Sequence, residues 1–213
     1  MKKLVVLALG LLMGMSAFAG PQGEDNGFGL KLFAGLHGDK YGRVVDAKIS
    51  KDAPKASPTL GFAIDNRWYV ANPGKAGVAI NVRWADFSYS RFKYSFAGQR
   101  ETAKTKIFDY SVLGIGPLGT YYLDDKMAVD LYYNIAPNMY VLSRDGYGDD
   151  YVSFAFGASH RIGAAYRINV FQAGLEFRGG KLSYQDWGDD KNMALTDSKI
   201  HTGALRIFVG FKF

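Results

Sequence analysis

The stretch Leu205-Arg206-Ile207-Phe208-Val209-Gly210-Phe211-Lys212-Phe213 alternates so strictly that it reads as a β-strand with two unlike faces. Successive side chains of a strand point to opposite sides, so Leu205, Ile207, Val209, Phe211 and Phe213 share an apolar face. Arg206, Gly210 and Lys212 occupy the other, with Phe208 as its apolar exception. The stretch closes on an aromatic residue, where soluble domains usually fray into polar ones. A buried sandwich strand would show the same alternation, so the rest of the chain has to decide between them.

The pattern recurs along the sequence, and helical spacing is hard to find. Phe28, Leu30, Leu32, Ala34 and Leu36 share a face, opposite Lys31 and His37. Leu60, Phe62, Ile64, Trp68 and Val70 share another, with Asn66 as a misfit, and Val78, Ile80, Val82 and Trp84 a third. Beyond Trp84 that face changes to Asp86, Ser88 and Ser90. A further strand runs from about Thr105 to Leu123, where Gly114, Gly116 and Pro117 suggest a bulge. Met127, Val129, Leu131, Tyr133 and Ile135 alternate cleanly; Val152 to Ile168 and Phe171 to Phe177 follow before the final strand. These are eight strands. Their connections alternate between long or medium (38–57, 97–104 and 185–198 long, 143–150 medium) and short (71–76, 124–126, near 169).

The other end of the chain suggests an address. Lys2 and Lys3, an apolar core from Leu4 to about Met15, and Ala17-Phe18-Ala19 have the order of a cleaved secretory signal peptide, residues 1–19. The core is short for a transmembrane helix, which needs about 20 apolar residues. The mature domain is then 20–213. It has no cysteine, so disulfides do not stabilise it. Removing the two leader lysines takes the formal charge from +6 to +4, and no basic run concentrates the excess, which argues against nucleic acid as a partner.

An exported chain of alternating strands, with long and tight connections in turn, fits a bilayer. Backbone groups in lipid must all be paired, so a sheet there closes on itself, apolar outside and free to be polar inside. The expected fold is all-β: an eight-stranded antiparallel up-and-down transmembrane β-barrel with long outer loops and short periplasmic turns. A membrane strand needs about 9–11 residues, and several here run longer, so the surplus should project outward. Trp68, Tyr121, Tyr122 and Tyr166, near short turns, and Trp84, about a bilayer's height above one, are expected to form aromatic girdles. Gly29, Gly35, Gly61, Ala63 and Gly174 leave room inside for longer neighbours.

In these features the chain resembles the small eight-stranded outer-membrane barrels of the OmpX and OmpA transmembrane type. The resemblance covers the whole mature chain, is architectural, and includes no peptidoglycan-binding domain. It implies an outer-membrane location, outer-membrane lipid as surroundings, and recognition of Phe211 and Phe213 by the barrel-assembly machinery. It also obliges a comparison with lipid A-modifying enzymes of the same architecture, which use His, Asp and Ser sets. Ser159 and His160 are adjacent, so a strand sends them to opposite faces and they cannot form a nucleophile–base pair. His201 is followed by Gly203, and His37 stands at a loop rim. No enzyme activity is expected. A soluble lipocalin-like carrier is the main rival, but Phe28-Gly29-Leu30 lacks the Gly-x-Trp of that family.

The inward charged set is read as Lys31, Asp65, Arg67, Arg83, Asp130, Arg161, Glu176, Arg178 and Arg206. Buried charges are tolerable when paired, which favours a salt-bridged plug; a narrow passive porin-like channel with excess positive charge is the alternative. Asp149-Asp150 and Asp186, Asp189 and Asp190 match no defined calcium loop, and no cofactor or metal is expected. Phe92, Tyr94, Phe96, Tyr147, Tyr151 and Trp187 put aromatics above the membrane, where an extracellular ligand or protein would meet the loops. The expected role is structural or interactive.

Deleting Phe213, or Phe213→Ser, removes at most about 1.5–3 kcal/mol of apolar burial. It should nevertheless abolish most membrane-inserted protein in cells. Normal insertion of the deletion would count against an assembly signal here.

Overall fold

The computed structural model describes residues 27–37, 40–41, 55–71, 74–95, 102–145, 151–185 and 199–213. The expected leader lies outside them, as do Phe96, Tyr147, Asp149, Asp150, Asp186, Trp187, Asp189, Asp190 and the side chains of His37, Phe92, Tyr94 and Tyr151. Eight long strands account for most of the described chain: β1 Gly27–His37, β2 Thr59–Ala71, β3 Ala76–Ser95, β4 Thr102–Tyr122, β5 Met127–Asp145, β6 Tyr151–Ile168, β7 Phe171–Gln185 and β8 Lys199–Lys212. Each pairs antiparallel with the next, and β8 returns to β1, so the sheet is a closed ring. Two short pieces between β1 and β2 add to it. Lys40–Tyr41 pairs with β8, and Lys55–Ala56 pairs with β3.

The ring gives every strand an outside and an inside. On β5 the inside holds Ala128, Asp130, Tyr132, Asn134, Ala136, Asn138 and Tyr140, all buried. Its outside holds Leu131, which is 61% exposed, with Tyr133 and Ile135. Neighbouring strands continue the band through Ile162 at 60% and Ile207 at 63%. Bare apolar side chains over so wide a wall are unfavourable in water and suited to lipid.

The alternation breaks at one place, and the break is shared. In the β3–β4 ladder Arg83 faces Gly114 and Ala85 faces Val112, so Trp84 and Leu113 meet as an irregular pair. Leu113 has φ of 51°, a left-handed conformation that costs a branched-chain residue energy. Registers to the neighbours shift at the same level, between Ile64 and Asp65 on β2 and between Ser111 and Ile115 along β4. Past this kink both strands exchange their faces. Asp86, Ser88 and Ser90 turn inward, as do Ile107, Asp109 and Ser111, while Phe87, Tyr89 and Phe108 turn outward. The glycines at 114 and 116 and Pro117 lie just beyond the irregular residue. Pairing also runs further out than the sequence suggests, to Ser95 with Thr102 and to Arg144 with Tyr151.

Inside, two apolar clusters stand at different heights. Phe33, Ala63, Ala79, Leu118, Tyr132, Ala165 and Phe208 form the one nearer the short turns. Ile107, Tyr140, Ala155, Leu182 and Ile200 form the other. Small residues make this possible: a Cβ on Gly61 would run into the Phe33 ring, and one on Gly174 into the Phe208 ring.

Leu131 lies about 10 Å along the barrel axis from its turn, near the middle of an apolar band about 25 Å tall. Leu131→Arg should cost about 2–4 kcal/mol in unfolding titrations in lipid vesicles, and Leu123→Arg, at the turn, about 0–1 kcal/mol. Equal, negligible costs at both positions would show that the wall faces water.

Candidate functional site

Closing eight strands leaves a lumen only wide enough for side chains, and here those side chains are charged. Lys31, Arg67, Arg83, Arg161, Arg178 and Arg206, with Asp65, Asp130 and Glu176, all face inward and are no more than 3% exposed. The structure adds four buried charged residues to that set, Asp86, Asp109, Arg167 and Lys212, of which Arg167 and Lys212 continue the inward alternation of Arg161 and Arg206. Asp86 and Asp109 owe their place to the kink at Trp84 and Leu113. A strict period of two puts Asp86 on the face of Val82 and Trp84, outside.

Nearest the short turns, Arg67 Nη1 is 2.5 Å from Asp130 Oδ2, and its Nη2 donates to Gln172 Oε1 at 2.8 Å. Thr120 Oγ1 donates to Asp130 Oδ1 at 2.6 Å, and Arg167 Nε stands 3.5 Å from the same carboxylate. Above them, Lys31 Nζ is 2.5 Å from Asp65 Oδ2 and lies over the rings of Tyr132 and Phe208. Arg83 Nη1 is shared between Glu176 Oε2 at 2.7 Å and Asp86 Oδ2 at 3.0 Å. Arg206 reaches across the lumen to Asp86 at 3.0 Å and to Glu176 Oε1 at 3.4 Å. Arg178 pairs with Asp109, and Arg161 Nε lies 3.3 Å from Asp86 Oδ2. Tyr132 donates to Glu176 Oε2 at 2.9 Å.

Nine residues on seven strands are thus joined into one middle layer, with an apolar cluster above and another below. Each of the nine is no more than 3% exposed. A layer of this kind holds the wall apart and together at once, because each charge is tolerable only while its partners stay in place.

The girdle residues need correction. Tyr121 and Tyr166 are exposed on the outer wall near the short turns, and the Tyr166 hydroxyl reaches Met127 Sδ at 2.8 Å. Tyr122 does not join them: it follows Tyr121, pairs with inward Ala128, and its ring lies under the Arg167 guanidinium. Trp68 and Trp84 do not stand at separate levels of the wall. Their rings are 6.3 Å apart and perpendicular, because the kink turns Trp84 toward β2. The Trp84 indole donates to Asn66 Oδ1 at 2.9 Å, which explains the polar misfit on that wall. Other aromatics fill the levels instead. Phe171, Phe211 and Phe213 pack together at the short-turn end. Phe62, Phe87, Tyr89 and Phe108 form a chain of ring contacts beyond the kink.

Of the histidines, His160 lies outside with its Nδ1 2.5 Å from the Tyr133 hydroxyl, and His201 is exposed. Ser159 is buried on the inner face. It does not meet His160.

No protein-family model matches the chain, and no curated protein sequence does. Solved structures do. Ail, the attachment invasion locus protein of Yersinia pestis, solved in complex with the heparin analogue sucrose octasulfate, shares 15% identity with a TM-score of 0.50. The alignment covers 89% of this chain and 99% of Ail. The outer membrane protease OmpT of Escherichia coli aligns over 88% of this chain and 94% of its own, at 6% identity and a TM-score of 0.50. Neisserial surface protein A aligns over 87% and 97%, at 17% identity and a TM-score of 0.43. The likeness is one of fold, and the fold is that of a bacterial outer-membrane β-barrel.

The charge layer is tested on this chain's own residues. Asp86→Asn leaves Arg83, Arg206 and Arg161 without their common carboxylate, and removing one partner of a buried pair costs about 3–5 kcal/mol. Urea unfolding in vesicles should show that loss. A cost below about 1 kcal/mol would mean that Asp86 does not organise the layer.

Proposed function

We propose that this chain, after removal of residues 1–19, is an integral barrel of the bacterial outer membrane whose outer part binds an extracellular ligand or protein. Its short turns face the periplasm. The observation that carries this reading is where the strands are long. β3, β4, β5 and β6 have 20, 21, 19 and 18 residues, and β1, β2, β7 and β8 have 11 to 15. A bilayer needs about 9–11. At the usual strand tilt, four neighbouring strands therefore rise about 20 Å above the lipid as a continuous sheet. Binding commonly lives on what a rigid scaffold holds out, and nothing in membrane insertion requires this wall.

The charge layer supports the same conclusion by filling the middle of the lumen with buried, paired side chains. The passive channel is the second reading and would need the Arg83, Glu176 and Arg206 layer to part. A lipid-modifying activity finds no Ser–His pair among the described residues, and a soluble carrier would hide the apolar face that this barrel turns outward.

Arg91 and Lys106 are exposed cross-strand neighbours on the projecting hairpin of β3 and β4. Because Ail is bound to a heparin analogue, heparin-coated beads are a reasonable first probe. Cells displaying the whole chain should retain such beads. Cells displaying a chain in which residues 91–106 are replaced by Asn-Gly should not, while the barrel still inserts. Purified protein in planar bilayers should be silent. Equal bead retention by both chains would remove the wall from function. Steady anion-favouring channels that weaken in Arg83→Ala or Arg206→Ala would establish the channel instead.

A further inference from the structure

The middle layer of the lumen does not balance. It contains five cations, Lys31, Arg83, Arg161, Arg178 and Arg206, and four carboxylates, Asp65, Asp86, Asp109 and Glu176, all buried. Lys31 has its own carboxylate in Asp65 and two ring faces beneath it, so it makes no call on the other three carboxylates. The residue left over is Arg161. Asp86, its one carboxylate, already accepts from Arg83 and from Arg206 at 3.0 Å each. Arg161 approaches it only through Nε at 3.3 Å, its Nη2 is spent on Ser111, and its Nη1 has no hydrogen-bond partner.

What surrounds that free Nη1 points to an occupant. Both polar atoms of the Asn138 amide and the Ser159 hydroxyl are buried without partners. The three groups lie on neighbouring inward rungs of the ladder, and the long Arg161 side chain spans them. Ser159 faces Ala136, Asn138 is two residues further along the same face of β5, and Ser111, which holds Arg161, is paired with Asn138. Between them the wall is made of small residues. A Cβ built on Gly114 would stand 3.2 Å from the Ala136 methyl and 3.7 Å from Arg161 Nη1. Three unused donors around a surplus positive charge, in a dry layer, form a site for an anion. Water would satisfy the hydrogen bonds and leave the charge uncompensated.

We propose that the lumen of this barrel encloses one small monatomic anion of the halide class, seated over Ala136 on Arg161 Nη1, Asn138 Nδ2 and Ser159 Oγ. It is enclosed as the barrel closes and completes the ion layer as a fifth negative charge. Asn138→Asp supplies that charge from the chain itself, on an almost identical side chain, and should make the ion dispensable.

The test uses full-length mature protein refolded at equal ionic strength in sodium chloride, sodium bromide or sodium gluconate, the last anion being too large to enter. Thermal midpoints are read from the mobility difference between folded and unfolded forms on gels. The midpoint should rise with halide concentration in the parent chain, as ligand linkage requires, and be the same in all three salts for Asn138→Asp and Arg161→Gln. Crystals grown in bromide should show anomalous density beside Arg161. A parent midpoint indifferent to the anion, a halide effect that survives undiminished in Asn138→Asp, or bromide density confined to the surface would each overturn the proposal. Because the crystal measurement needs no variant, the proposal stays falsifiable even if Arg161→Gln fails to fold.

Discussion

Nine residue pairs, from Gly29 with Lys212 to His37 with Ala204, join the first strand of the barrel to the last. Without that ladder the sheet would present two open edges, and unpaired backbone groups in lipid cost several kcal/mol each. Closure settles the backbone and creates a second difficulty. Every other residue now faces a lumen barely wider than the side chains that fill it. Lys31 on β1 and Arg206 on β8 are brought inside by the closing ladder itself, and neither can return to water. The ion layer follows from this: Lys31 finds Asp65 on β2, and Arg206 crosses to Asp86 on β3.

That solution depends on the irregular pair of Trp84 and Leu113. Had β3 and β4 kept a strict alternation, Asp86 and Asp109 would face lipid, and the middle layer would hold five cations against Asp65 and Glu176. Neither arrangement is tolerable, since a lipid-facing carboxylate and an unpaired buried guanidinium are both expensive. The left-handed backbone at Leu113 is a local cost that removes both problems at once. It also turns Phe87, Tyr89 and Phe108 outward, where their rings join Phe62 on the wall. One kink therefore arranges the inner charges and the outer aromatics together.

The sequence carries some of this plainly and hides the rest for a definite reason. Alternation over Met127–Ile135 and Leu205–Phe213 is enough to assign strands, their two faces and their number. The alternation also places Arg83, Glu176 and Arg206 on inward positions, because no irregular residue separates them from the clean pattern. Asp86 and Asp109 escape it, although Gly114, Gly116 and Pro117 mark the neighbourhood of a bulge, since one extra residue reverses every position after it. The change from Val82 and Trp84 to Asp86, Ser88 and Ser90 was the visible trace of that reversal. Tyr122 misleads in the opposite sense: its composition suggests a girdle, but two adjacent strand residues cannot both face out. The proximity of Trp68 and Trp84 depends on register between strands, which no single strand records.

These constraints bear on where change is affordable in the molecule. A residue of the middle layer, such as Asp86 or Arg206, has several partners on different strands, so moving one strand disturbs several pairs together. Such a layer resists gradual opening, because partial separation strands charges before water can reach them. The outer halves of β3 and β4 are under a different regime. Past the Phe87, Tyr89 and Phe108 contacts, Arg91 and Lys106 are already exposed, and the ladder there is held by backbone pairs that do not depend on side-chain identity. Substitution on that surface alters what the barrel presents without altering whether it closes. A fold that fixes its interior so firmly leaves the freedom to change to the projecting wall.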